Sequence, residues 1–150
     1  MSLEWRDKMS VDDGGPIDQD HQYFFTLFNK IEADFTNYKK ETMLKHLASL
    51  EYFCTLHFTQ EEGIMDKIGY PNIAEHKKEH EKITKTVKGI IAVFSKDIDP
   101  TKLEEVHGNM MMLMRSWIIG HNMAMDMQLV PYIKEYRLKR TGFVTARSLK

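Results

Sequence analysis

Histidines and carboxylates recur along the chain at spacings that suit helical ligand pairs. His57 precedes Glu61 by four residues and His76 precedes His80 by four, while His121 precedes Asp126 by five and His21 stands alone. Side chains four apart lie one above the other on a single helix face. Imidazoles and carboxylates suit iron, zinc, nickel or copper better than magnesium or calcium. Seven such groups are too many for one tetrahedral zinc. Shared between two ions, with both carboxylates bridging, they give one ion three histidines and two oxygens. The other ion then has two histidines and two oxygens. A solvent-derived oxo or hydroxo bridge raises the counts to six and five, which iron accepts.

Four helices must position these groups. Residues 1–16 read as an arm ending in the turn-forming "DDGGP". A first helix over about 18–38 places His21, Phe25, Phe28, Ile31 or Glu32, and Phe35 on one stripe. A second, about 41–67, carries Leu47, Leu50 or Glu51, Cys54, His57, Glu61 and Met65, and stops at Gly69 with Pro71 beyond. A third, about 72–95, carries His76, His80, Ile83, Val87, Ile90 and Phe94. The fourth starts with Asp99 as N-cap and Pro100 in its first turn. Its stripe is Leu103, Val106, Met110, Met114, Trp117 and His121.

No segment alternates with period two for long enough to suggest strands. Long helices with short connections predict an all-α, up-down-up-down antiparallel four-helix bundle. Pro131 predicts a kink or a short separate helix, hence a C-terminal extension beyond the bundle. The expected organisation is a single domain over 1–150, with the bundle at about 17–133 and a basic, solvated tail at 134–150.

The candidate ligands fall on the apolar stripes. Each buried polar group left unsatisfied costs roughly 1–3 kcal/mol, and an unpaired carboxylate costs more. A bound cation is the partner that removes this cost. His57 and Glu61 come late in the second helix and His76 and His80 early in the third. His21 is early in the first helix and His121 late in the fourth. All therefore gather in one layer, towards the end that holds the 68–71 turn. His46 and His107 lie off the stripes and are expected at the surface. Five residues leave His121 and Asp126 about 140° apart on a regular helix. The pairing needs a π-type turn or side chains that reach around from opposite edges.

Composition limits the rest. Hydrophobic residues are 42%, charged residues 29%, and the formal net charge is −1. That balance gives no general attraction to nucleic acid or an anionic membrane. No stretch approaches the roughly 18 apolar residues of a membrane span. A lone cysteine and an N-terminal stretch without an apolar signal core predict a cytoplasmic protein. Cys54, three residues before His57, reads as a small core residue rather than a redox partner. The Met110, Met111, Met112 and Met114 run reads as adaptable core packing. Met123, Met125 and Met127 could hold Cu(I) only in an extended segment, where the pattern says helix.

The segments "DQDHQYFFTLFN", "HFTQEEGIMDKIGYPNIAEHKKEH" and "WIIGHNMAMD" together resemble the hemerythrin family, bacterial hemerythrins above all. The likeness covers about residues 4–133 and rests on a lone His followed by HxxxE, HxxxH and HxxxxD. It implies a non-haem centre of two iron ions per chain with an oxo or hydroxo bridge. Such a centre binds dioxygen reversibly, for transport, storage or sensing.

By this resemblance His76, His80 and His121 hold the saturated iron, His21 and His57 hold the open one, and Glu61 and Asp126 bridge. Trp117 and Ile118 take the family's Trp-Leu positions over the oxygen pocket, with Asp20 close to the ligands. Asn122 stands where an aliphatic residue is common, and adds a polar contact that bears on oxygen affinity. The implied protein is no enzyme beyond a weak peroxidase-like side activity. It works as a monomer, with dioxygen and a separate signalling or redox protein as partners. The alternative is a di-iron redox enzyme, or a nitric-oxide or iron–sulfur-repair protein of the HHE type. Retention of both histidines in "HKKEH" favours oxygen binding.

Overall fold

The computed structural model describes residues 2–37 and 39–141. Four helices form an antiparallel up-down-up-down bundle: α1 (Pro16–Thr36), α2 (Lys40–Ile68), α3 (Ile73–Phe94) and α4 (Leu103–Gly120). A fifth, α5 (Val130–Arg140), extends beyond it. Among the described residues there are no strands.

Local chemistry sets the boundaries. Pro16 opens α1 and the Asp12 carboxylate accepts from the backbone N–H groups of Ile17 and Asp18. Asp18 reaches back to accept from Val11 N, Gly14 N and the Ser10 hydroxyl. Burial pushes the Asp18 carboxyl up, but these hydrogen bonds outweigh it and hold the group below the usual carboxylate range. Gly69 closes α2 in the left-handed region at φ 69°, ψ 41°, which only glycine adopts freely. The Asp99 carboxylate accepts from Thr101 N at 2.9 Å and caps the short 3₁₀ turn leading into α4.

The buried faces form two apolar clusters. The larger holds Phe28, Ile31, Leu47, Leu50, Cys54, Val87, Phe94 and Met114 among others. The smaller closes the end near the 68–71 turn with Val11, Ile17, Met65, Tyr70, Leu129 and Ile133. Met110, Met111 and Met114 are core residues, as the packing reading expects, whereas Met112 is exposed.

The short separate helix that Pro131 predicts is α5, which has Pro131 in its first turn and buries Ile133; from Lys134 to Arg140 its side chains are mostly exposed, as expected of a solvated segment. Arg137 donates to the Asp12 carbonyl at 2.8 Å and pairs with Asp13, fastening α5 to the arm. Arg147 and Lys150 lie outside the described residues. The surface expectation for His46 and His107 needs correction. His107 is half-buried, its ring stacked on Phe35 at 3.4 Å with an interplanar angle of 7°. His46 is also half-buried, its Nδ1 bound to the Asp34 carboxylate. The N-terminal arm is held too: Asn29 exchanges two hydrogen bonds with the Leu3 backbone, and Trp5 lies against Phe25 and His21.

Candidate metal centre

Between the two apolar clusters lies a polar layer. His21 from α1, His57 and Glu61 from α2, and His76 and His80 from α3 all point into it, and all are buried. His121 and Asp126 arrive from the segment that follows α4. There the helix widens into a π-turn, His121–Met125, and the Asp126 N–H reaches the His121 carbonyl five residues back. This resolves the spacing of five: the wider turn puts both side chains on the same side. A 3₁₀ turn, Asp126–Leu129, then leads into α5. The Met123–Met127 stretch is therefore helical, not extended.

All seven sequence-predicted groups come together. Asp126 Oδ1 lies 3.0 Å from both His76 Nε2 and His121 Nε2, and its Oδ2 lies 3.2 Å from His21 Nε2. Glu61 Oε2 is 3.3 Å from His80 Nε2, 3.5 Å from His57 Nε2 and 3.9 Å from His76 Nε2. Two convergent sets result. One has Glu61, His76, His80, His121 and Asp126; the other has His21, His57 and Asp126. Asp126 is common to both, and Glu61 is within reach of a histidine from each.

These short approaches are mostly not hydrogen bonds. Both oxygens of Glu61, both of Asp126, and His76 Nε2 are buried without a hydrogen-bond partner. Such atoms cost roughly 1–3 kcal/mol each, and more when charged. Their lone pairs face one another across shared points, which suits cations. Imidazole and carboxylate together fit a transition metal, and the doubled set fits two ions. Burial pushes the Asp126 carboxyl up, yet the charge of His121 outweighs it and holds the group well below the usual carboxylate range. Conversely, burial lowers His121, but Asp126 outweighs it and raises the ring above its ordinary value.

Carboxylates behind the rings set their orientation. His57 Nδ1 lies 3.0 Å from Asp20, and His80 Nδ1 lies 2.9 Å from Glu62. A carboxylate there accepts a hydrogen bond from Nδ1–H and so leaves the Nε2 lone pair facing inward. Asp20 is where the resemblance expects it. Glu62 was not anticipated, because it stands beside Glu61 and not one turn from it. Phe58, stacked on His80 at 4.0 Å, and Phe24, edge-on to His57 at 5.2 Å, were also missed. Each is next to, or one turn from, a ligand histidine.

On the His21 and His57 side is a cavity of about 10 Å³, room for roughly one water-sized guest. Phe24, Phe58, Trp117, Ile118 and Asn122 line it together with His21, His57, His121 and Asp126.

The family model described as the hemerythrin HHE cation binding domain matches residues 16–133. The chain belongs to the hemerythrin family. A bacteriohemerythrin of Methylococcus capsulatus is 29% identical over 75% of this chain and 82% of its own length. One of Stenotrophomonas maltophilia is 23% identical over 99% and 95%. A crystal structure of a mutant hemerythrin superposes with TM-score 0.75 at 23% identity, covering 89% of this chain and 98% of that one. That likeness speaks for the hemerythrin bundle. Among the described residues no helix is long and apolar enough to cross a membrane.

Proposed function

We propose that this member of the hemerythrin family binds dioxygen reversibly at a centre of two iron ions. His76, His80 and His121 would hold one ion, and His21 and His57 the other. Glu61 and Asp126 would be shared, with a solvent-derived oxo or hydroxo bridge completing the pair. The observation that carries the reading is the unequal division of histidines around shared carboxylates, with the small cavity on the two-histidine side. Three histidines with two carboxylates leave little room for a guest, whereas two leave a position open.

Iron supplies the electrons that a reversible dioxygen carrier shares with its guest. The chain's own residues do the rest. Asp20 and Glu62 fix the His57 and His80 rings. Phe24, Phe58, Trp117 and Ile118 keep water from the cavity, which matters because water and protons promote oxidation of ferrous iron. The match to bacteriohemerythrins over most of the chain supports the same reading. The role would be transport, storage or sensing of oxygen in the cytoplasm.

An absorption spectrum taken without oxygen, then in air, then under vacuum tests this. A visible charge-transfer band that appears in air and fades on evacuation is expected. Continuing oxygen consumption with added reductant, and no reversible band, would point to the redox-enzyme alternative.

A further inference from the structure

Outside the metal centre, a groove of about 480 Å³ runs between the start of α1, the last turns of α2 and α5. That volume lies within the roughly 300–1,000 Å³ of small-molecule clefts. It is too small for a standard protein interface, which takes about 20–30 residues a side. The groove is apolar inside. Ile17 and Ile133 are its buried lining, and Ile64 and Ile68 of α2 stay half-buried along it with Tyr136 of α5.

Its rim is cationic. Lys67, Arg137 and Arg140 line it against one carboxylate, that of Asp12. The Asp12 carboxylate already accepts from the Ile17 and Asp18 N–H groups, and Arg137 is held by the Asp12 carbonyl and by Asp13. Lys67 and Arg140 are exposed, and among the described residues neither pairs with a carboxylate. The Arg140 guanidinium lies 5.9 Å from the Tyr136 ring centre, on the groove wall. An apolar lining selects against small hydrophilic anions, and uncompensated cations select against neutral and cationic guests. Ammonium and guanidinium donors make charge-assisted hydrogen bonds to a carboxylate.

We propose that this groove binds one anionic single-chain amphiphile, a fatty acid of about a dozen carbons, with its carboxylate held by Lys67 and Arg140 and its chain along Ile64, Ile68 and Tyr136. The site is separate from the polar layer, and the proposal does not depend on the di-iron reading.

Monomeric dodecanoate is the probe, titrated by calorimetry into the iron-loaded full chain. One saturable site per chain is expected. Butanoate, which lacks the chain, and dodecyltrimethylammonium, which reverses the head charge, should each bind at least about ten-fold more weakly. Removing one methylene from the probe should weaken binding by up to about four-fold. The double variant Lys67→Glu, Arg140→Glu changes two exposed side chains, so iron content and helical circular dichroism should stay as in wild type. Its affinity for dodecanoate should fall about ten-fold or more. No saturable binding of dodecanoate, butanoate binding as well as dodecanoate, or a double variant within about two-fold of wild type would each overturn the proposal. Binding to phosphatidylglycerol vesicles with none to the monomer would overturn it too, since the cations would then be a membrane-surface patch.

Discussion

The Nδ1 atoms of His57 and His80 are each backed by a carboxylate from a neighbouring position in the bundle, Asp20 and Glu62. Such partners fix the ring and raise its basicity, and their loss typically weakens metal binding 10–100-fold. Glu62→Ala should therefore weaken iron retention by about 10-fold or more in competition with a chelator, leaving the helical circular dichroism unchanged. Unaltered retention would show that His80 needs no support. Cys54 makes a contrasting case. It is buried, and burial, with Glu51 adding to it, pushes the thiol far above its ordinary value. A thiol reagent should leave the folded protein untouched and modify it only after unfolding; rapid reaction in the folded state would restore the redox reading. The ligand pairs were legible because four-residue spacing aligns side chains on one face. Glu62 was not, because a residue adjacent to a ligand turns about 100° away and meets His80 only across the α2–α3 interface.

The π-turn is what lets one helix deliver two ligands five residues apart. The sequence posed the geometrical conflict but left two solutions open, since neither the turn nor a long reach has a composition of its own. The stripe through Met110, Met114 and His121 is the inner face of α4, with Leu103, Val106 and Trp117 half-buried at its edge. Met111 and Ile118 are buried as well, so the face is wider than that stripe, and His107 lies against Phe35.

Burial holds His107 below its ordinary value despite the charges of Glu32 and Glu104. The unfolded chain therefore binds a proton more readily there, so stability falls as pH drops through about 6.5 towards the folded value. Urea denaturation of His107→Leu and wild type across that window should show the variant gaining relative stability as pH falls. A difference independent of pH would contradict this. At the other end, the Cβ of Gly69→Ala would meet no atom within 4 Å, so its cost is the left-handed backbone alone, about 1 kcal/mol. A stabilised variant, measured by denaturation, would contradict the strain.

For the molecule as a whole, the polar layer divides the core into a large and a small apolar cluster. The bundle was legible from helical periodicity and its punctuation. The docking of α5 was not, because it depends on Arg137 meeting the Asp12 carbonyl, 125 residues away in the chain. A layer of buried ligands makes stability depend on the metal, since binding to the folded state alone adds about 4 kcal/mol at a thousand-fold excess over Kd. Removing iron should lower the melting temperature, and restoring ferrous iron should return it.

If seven side chains hold two ions with both carboxylates shared, removing one shared carboxylate should release both ions. Elemental analysis of wild type and Asp126→Ala, each grown with adequate iron, tests it most directly. About two iron ions per wild-type chain are expected, with loss from both positions in the variant. One ion per wild-type chain, zinc in place of iron, or a variant that keeps one ion firmly would contradict it.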